Sequence, residues 1–167
     1  GATAAELTAR GFLVPCSIVA PASKLTRALA QDPVDALLSL GVDEHGQRPK
    51  TLVYARSVSE SHDLAARFLA AGISAGAIDG TTRSDVRDEV LSRFAAGELR
   101  VLCNMAVLTE GFDVPDASVC IVARPVGHVG PWLQIVGRVL RPAVGKERAL
   151  VLDLAGSVYE HGLPTDE

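Results

Sequence analysis

Three polar side chains near the end of the chain are spaced so that they can act together. Gln134, Arg138 and Arg141 stand at i, i+4 and i+7, which places all three on one face of a helix. No Asp or Glu occurs between residues 129 and 142, whereas an ordinary surface helix mixes charges of both signs. A guanidinium holds phosphate oxygens through paired hydrogen bonds and keeps its charge, so this face is suited to an anionic ligand. The alternative is a basic face that meets only solvent.

A second segment, residues 107–115, combines a hydroxyl, two carboxylates and a glycine within a few positions. Thr109 offers the hydroxyl, Glu110 and Asp113 supply the carboxylates, and Gly111 permits a backbone conformation that other residues avoid. Taken alone, the segment is equally compatible with a simple turn between two strands, capped by Asp113.

The elements that must position these residues follow from hydrophobic periodicity. From about residue 50 onward, short β-rich runs alternate with amphipathic runs, which is typical of βαβ units and a parallel sheet. The runs predict strands over residues 51–55, 73–78, 99–104, 117–123 and 149–153. They predict helices from the capping box at 57–60 to Gly72, from about 84 to Gly97, and from Pro131 to about Leu140. We therefore expect an open α/β fold with a mostly parallel sheet of five or six strands.

Ligands of open parallel sheets bind outside the carboxyl ends of the strands. Small polar residues and a glycine follow the predicted strands there, namely Ser57, Gly80, Thr81 and Asn104. Such residues let backbone amides approach an anion closely.

The first 49 residues have a different texture. Residues 11–15 and 17–20 look extended, residues 25–40 look helical, and residues 41–49 form a polar loop. We expect residues 1–49 to be a segment that leads into the lobe, and residues 50–167 to form the lobe itself, within a single domain. The abrupt start at Gly1 suggests a fragment of a larger protein.

Composition limits the classes of function. The 167 residues carry a net charge of −4 with 48% hydrophobic and 22% charged residues, which is typical of a soluble globular protein. This charge excludes a strongly basic nucleic-acid coat, and 4% aromatic residues argue against broad base-stacking surfaces. The three cysteines lack metal-ligand spacing and lie in apolar runs, which predicts reduced thiols in a cytoplasmic protein. No apolar run reaches the roughly 18 residues of a membrane span, so we expect no membrane partner.

Two features of nucleotide-hydrolysing enzymes are absent from the sequence. The phosphate-binding pattern G-x-x-x-x-G-K-[ST] does not occur, and Gly145-Lys146 is followed by neither Ser nor Thr. No Asp-Glu-x-His or Asp-Glu-Ala-Asp run that could hold magnesium is present, and the four histidines have no metal-ligand spacing. We therefore expect no metal site.

Taken together, the segments resemble the second RecA-like lobe of superfamily 2 helicases and translocases of the DEAD/DEAH type. Residues 51–57 resemble motif IV of that family, residues 107–115 motif V, and residues 134–141 motif VI, in the family's order. The resemblance implies a RecA-like fold with helices on both faces of the sheet. It also extends to a bacterial and phage-like branch through residues 78–80, 145–146 and 151–153.

The resemblance implies a role for each matching residue. Arg138 and Arg141 match the arginines that reach the γ-phosphate of ATP, and Gln134 matches the polar residue near that phosphate. The positions that match nucleotide contacts are Gly111, Asp113, Glu110 and Gly137, with Asp113 at the ribose. The positions that match nucleic-acid contacts are Ser57, Gly80, Thr81, Asn104 and Thr109. The sequence departs from the family at Met105, where many members have a phosphate-binding Thr, and Asn104 is the candidate substitute.

What the resemblance implies for the whole protein is an ATP-dependent helicase that acts on DNA or RNA. Its cofactor would be ATP with Mg²⁺, the metal being held by a first RecA-like lobe that this chain lacks, and that lobe would be a partner. The alternative is a regulatory or nucleic-acid-binding module that keeps the fold without hydrolysis. A dinucleotide-binding enzyme is disfavoured because no G-x-G-x-x-G follows a strand.

Overall fold

The structure is a computed structural model that describes residues 1–26, 28–105 and 116–162. Within these ranges the strands are β1 Cys16–Val19, β2 Thr51–Tyr54, β3 Ala75–Ile78, β4 Val101–Asn104, β5 Val119–Val122 and β6 Ala149–Asp153. The helices are α1 Ala4–Ala9, α2 Pro33–Leu38, α3 Val58–Ala70, α4 Ser84–Ala95, α5 Val129–Gly137 and α6 Val158–His161.

All six strands form one parallel sheet in the order β1-β6-β5-β2-β4-β3. Every residue of β2, β4 and β5 is buried, because these strands lie inside the sheet and are covered on both faces. The helices α3 and α4 connect successive strands of this sheet. The predicted α/β class, with a parallel sheet of five or six strands, is confirmed.

Two apolar clusters occupy the two faces of the sheet. One packs Phe94 of α4 and Trp132 of α5 against side chains such as Leu102 of β4. The other packs Leu37 of α2 and Phe68 of α3 against the opposite side of the same strands. Alternating side chains of each strand point to opposite faces, so a strand buried on both faces is mostly apolar. The prediction of helices on both faces is confirmed.

The first 49 residues contribute to this sheet and this core. Strand β1 pairs in parallel with β6, from Cys16 opposite Ala149 to Val19 opposite Leu152. Residues 11–15 are not a strand, although the Val14 N–H donates to the Leu140 carbonyl at 2.9 Å. Helix α1 was not predicted; it begins with a capping box between Thr3 and Glu6.

The helix predicted over residues 25–40 is wrong except for its last third. Helix α2 begins at Pro33, whose ring removes an N–H and whose predecessor is pushed out of the helical region. Asp32 accordingly has extended backbone angles (φ −65°, ψ 133°), and its carboxylate accepts hydrogen bonds from the Val34 and Asp35 amides. The helical spacing of apolar residues continues across Pro33, but the backbone before this proline is not helical.

Candidate functional site

Gln134, Arg138 and Arg141 line one cavity. It has a volume of about 240 Å³ and is walled by Leu133, Gln134, Gly137, Arg138 and Arg141. These walls carry two basic side chains, one amide side chain and a glycine. A Cβ atom added to Gly137 would meet no atom of the described residues within 4 Å.

Helix α5 positions this cavity by burying one side and exposing the other. Trp132, Ile135 and Val136 are buried, while Leu133 and Gln134 face outward. The indole N–H of Trp132 donates to the Gly162 carbonyl at 3.0 Å, which fixes the helix from its buried side. The lone tryptophan is therefore a packing residue.

The helix ends earlier than predicted. It was expected to reach Leu140, but the α-helix ends at Gly137 and the next amides bond three residues back, Val139 to Val136 and Leu140 to Gly137. Pro142 explains this, because it offers no N–H to continue the helix and disfavours helical angles at Arg141. Arg138 keeps helical angles (φ −61°, ψ −35°), so the side chains still share one cavity.

The segment after α5 is held by hydrogen bonds to two other parts of the chain. Leu140 accepts a hydrogen bond from Val14, just before β1, and the Lys146 ammonium bonds both the Arg141 carbonyl and the Ala117 carbonyl, just before β5. The segment after α5 therefore reaches the amino ends of the strands.

At the carboxyl ends of the strands, Ser57, Gly80 and Thr81 are all exposed. The Ser57 hydroxyl accepts a hydrogen bond from the Glu60 amide at 3.0 Å and so caps α3. Gly80 has no neighbour within 4 Å of an added Cβ, so its backbone can be approached from outside. We call Gly80 and Thr81 the phosphate loop candidate.

A buried carboxylate that the sequence analysis did not single out lies directly before this loop. Asp79 is 4% exposed, and its Oδ1 accepts hydrogen bonds from the Thr81 amide (2.7 Å) and hydroxyl (2.5 Å). Its Oδ2 lies 2.7 Å from His62 Nε2, and the His62 bond is the main reason that the pKa of Asp79 is lowered to about 2. An Asp followed by a Gly and two Thr residues is a turn pattern, which was the available signal.

Asn104 is placed differently from the other predicted nucleic-acid contacts. Its side chain is fully buried and donates to the Val53 carbonyl at 3.1 Å, while its Oδ1 has no hydrogen-bond partner among the described residues. Asn104 ends β4, and its amide links β4 to β2 rather than facing the rim. Met105, the next residue, is half-buried.

Two further buried polar groups near the strand ends are structural. The Tyr54 hydroxyl is buried with no hydrogen-bond partner in the described part of the chain, and this burial raises the pKa of Tyr54. The Asp153 carboxylate accepts hydrogen bonds from the Gly156 amide (3.0 Å) and the Val158 amide (2.8 Å). Asp153 therefore caps the turn before α6.

Four predicted site residues, Thr109, Glu110, Gly111 and Asp113, lie outside the described residues. Over residues 1–26, 28–105 and 116–162, no group of three or more His, Cys, Asp or Glu side chains could hold a metal ion. In the same ranges, no helix is both long and apolar enough to cross a membrane.

The parallel sheet, its strand order and the helices on both faces define a RecA-like lobe. A comparison with a solved structure agrees, since a DEAD box protein from the hyperthermophile Methanococcus jannaschii superposes with a TM-score of 0.63 at 22% identity. That superposition covers 87% of this chain and 36% of the other.

Sequence comparisons identify the family. The helicase conserved C-terminal domain matches residues 32–143. A 51.5 kDa protein of a Lactococcus phage is 36% identical over 121 residues, which is 72% of this chain and 26% of the relative. The putative mitochondrial ATP-dependent helicase irc3 of Schizosaccharomyces pombe is 35% identical over 124 residues, 74% of this chain and 20% of the relative.

The chain therefore belongs to the helicase conserved C-terminal domain family, and it resembles the C-terminal lobe of superfamily 2 helicases of the DEAD/DEAH type. The resemblance stated from motifs IV, V and VI is confirmed. The chain spans only about a quarter and a fifth of the length of these two curated relatives.

Proposed function

We propose that this lobe completes the ATP site of a two-lobed, nucleic-acid-dependent ATPase, with Arg138 and Arg141 as its arginine fingers. The observation that carries the proposal is the single cavity that Gln134, Gly137, Arg138 and Arg141 line together. These groups only donate, apart from the Gln134 carbonyl, so the donor set fits a polyphosphate. Family membership supports the same conclusion, because relatives such as irc3 are named ATP-dependent helicases.

ATP, when bound between two lobes, supplies a γ-phosphoryl group whose negative charge must be stabilised during transfer to water. Arg138 and Arg141 would supply positive charge at that phosphate, and Gln134 would place its side-chain amide beside the phosphate. Arginine fingers of this kind contribute about 10³ to 10⁵ in turnover in comparable phosphoryl-transfer sites. Their planar geometry also keeps the donors pre-positioned in a site from which water is excluded.

The phosphate-binding loop and the Mg²⁺ ligands would belong to the first lobe. Neither the phosphate-binding pattern in the sequence nor an acidic metal cluster among the described residues occurs here. The lobe alone should therefore not hydrolyse ATP. Steady-state hydrolysis measured on the isolated 167-residue chain, and on a protein that joins it to its first lobe, tests this division of labour. Turnover by the isolated chain that disappears in Arg141→Ala would contradict it.

We propose that the strand-end rim contacts the sugar-phosphate backbone of DNA or RNA. Exposure of Ser57, Gly80 and Thr81 supports this. Closing of the lobes around ATP would then change the grip on nucleic acid and couple hydrolysis to movement. The acidic net charge is compatible with this because the contacts come from amides and hydroxyls.

The rim is tested by adding a charge at Thr81. In the two-lobed protein, Thr81→Glu should weaken binding of a short labelled single strand, and the affinity of the unaltered protein should fall with salt. Ser92→Glu is the matched control, because Ser92 is exposed in the last turn of α4, at the other end of that helix. Equal affinities for the two variants would place the nucleic-acid contact elsewhere.

A regulatory module that keeps the fold without hydrolysis is the competing outcome. It would bind nucleic acid normally with or without Arg138 and Arg141, since no γ-phosphate would meet them.

We also propose a cytoplasmic location, which rests on three free cysteines, Cys16, Cys103 and Cys120. Burial raises the pKa of the Cys103 thiol to about 12, which keeps this thiol protonated and unreactive.

A further inference from the structure

The buried carboxylate of Asp79 lies beneath the phosphate loop candidate, where a negative charge is unexpected. Asp79 directly precedes Gly80 and Thr81 and is 4% exposed. A phosphate that contacts this loop would approach an ionised carboxylate, and like charges repel most strongly where water is excluded. A carboxylate at this position therefore needs a structural role and a neighbouring group that offsets its negative charge.

Asp79 shapes the loop by occupying the donors of Thr81. Its Oδ1 accepts both the Thr81 amide, at 2.7 Å, and the Thr81 hydroxyl, at 2.5 Å. The turn is closed by the Thr82 amide, which donates to the Asp79 carbonyl at 3.1 Å, and by the Asp79 amide, which donates to the Thr82 hydroxyl at 2.9 Å. Thr81 consequently has no donor left for a phosphate in this conformation, and exposed Gly80 becomes the approachable part of the loop.

His62 faces the other carboxylate oxygen from a different element. It lies on α3, its side chain is 51% exposed, and its Nε2 is 2.7 Å from Asp79 Oδ2. The pKa of Asp79 is lowered mainly by this bond, which shows that the imidazole stabilises the negative charge. From α4, the Arg87 guanidinium reaches the Asp79 carbonyl at 3.5 Å. The carboxylate of Asp79 therefore has a donor from α3, and the backbone carbonyl of the same residue has one from α4.

We propose that Asp79 and His62 are a positioning pair for phosphate binding: Asp79 holds the turn that presents Gly80, and His62 offsets the charge of Asp79 toward the bound phosphate. The inference rests on the proposed nucleic-acid function of the rim. His62 acts through Asp79, so its effect depends on the carboxylate charge. That dependence distinguishes positioning from a general contribution to folding.

The test is a rescue experiment in the two-lobed protein, with affinity for a short labelled single strand measured at fixed salt, as DNA and as RNA. His62→Ala leaves the carboxylate without its imidazole donor, and the affinity should fall by about fivefold. His62→Ala combined with Asp79→Asn removes the charge but keeps an Oδ1 acceptor for Thr81. This double variant should return to within about twofold of the unaltered protein. His45→Ala, a 78% exposed histidine in the loop before β2, is the matched control and should have no effect.

The outcomes separate the inference from the proposed function. Weaker nucleic-acid binding by Thr81→Glu, together with recovery of the affinity of His62→Ala when Asp79→Asn is added, supports both the rim and the positioning pair. If Thr81→Glu binds weakly but His62→Ala binds normally, or the double variant binds no better than His62→Ala, the positioning pair is wrong and the rim remains. If Thr81→Glu binds normally, the rim is wrong and the pair fails with it. A thermal melt of each variant shows whether lost affinity follows lost folding, which would also overturn the pair.

Discussion

Gly156 provides the sharpest test of how the C-terminal turn is packed against the chain before α2. Its φ is +78°, a left-handed conformation that favours glycine. A Cβ added there would lie 2.9 Å from Lys24 Cα and 3.0 Å from the Ser23 carbonyl oxygen, and both of these atoms belong to the backbone. The C-terminal turn and the chain before α2 are also joined by a hydrogen bond, which the Tyr159 hydroxyl donates to the Pro21 carbonyl at 2.6 Å. Gly156→Ala should therefore be strongly destabilising.

The expected loss in the free energy of unfolding of Gly156→Ala has two parts. The left-handed backbone costs a non-glycine residue about 1–2 kcal/mol, and overpacking in a filled site costs about 1–3 kcal/mol more. The sum is about 2–5 kcal/mol. For a chain of this length, that corresponds to a fall in melting temperature of about 10 °C.

The matched control isolates the steric part. Gly72, after the end of α3, also has a positive φ (+81°), but an added Cβ there would meet nothing within 4 Å. Gly72→Ala should cost only about 1 kcal/mol, or about 3 °C. Urea unfolding of both variants gives the two free energies directly. Equal losses for the two variants would show that residues 23–24 do not pass this close to Gly156.

Three further predictions concern buried groups. Tyr54→Phe removes a buried hydroxyl without a partner among the described residues, so it should leave the free energy of unfolding unchanged or raise it by about 1 kcal/mol; a loss above 1 kcal/mol would reveal a hidden partner. The pKa of Asp79 is lowered from 3.8 to about 2, so its contribution to stability is complete above about pH 4 and is lost as the pH falls toward 2. Asp79→Asn should flatten acid unfolding over that window, and an unchanged acid slope would contradict the ionised buried carboxylate. Trp132→Ala should cost about 3–5 kcal/mol in urea unfolding because the side chain is fully buried, and a loss below 1 kcal/mol would contradict its place in the core.

The parts of the fold that could be predicted are those where local pattern and tertiary packing agree. Residues 51–54 and 119–122 are apolar or β-branched throughout, as strands buried on both faces must be, and both became central strands. The start of α3 was equally clear, because Ser57 and Glu60 satisfy the first amides of the helix locally.

The errors arose where one residue overrides a longer pattern. Pro33 and Pro142 each shorten a helix that the apolar spacing would continue, since a proline removes a backbone hydrogen bond whatever its neighbours favour. Helix α1 has no buried residue, so no hydrophobic stripe marked it.

The site was predictable in its composition and less so in its geometry. The spacing of Gln134, Arg138 and Arg141 predicted one shared helix face, and the three residues line one cavity although the α-helix ends at Gly137. The burial of Asn104 could not be read from its place after an apolar run, because the direction of the side chain depends on the carbonyl of the neighbouring strand. The Asp79–His62 pair joins residues that are 17 positions apart, and only the packing of α3 beside β3 brings them together.

The central claim is that Arg141 acts on the transition state of ATP hydrolysis. The most direct measurement is steady-state hydrolysis by the two-lobed protein at saturating nucleic acid, with ATP affinity and a thermal melt measured beside it. Arg141→Ala should lower turnover by at least about a hundredfold with ATP affinity and melting temperature nearly unchanged, because interactions made mainly in the transition state affect turnover rather than binding. Arg141→Lys should restore little, since an ammonium cannot reproduce the planar guanidinium. Arg67→Ala, a truncation on α3 and so on the opposite face of the sheet, should hydrolyse ATP normally. Near wild-type turnover in Arg141→Ala, or a loss that follows unfolding, would contradict the account.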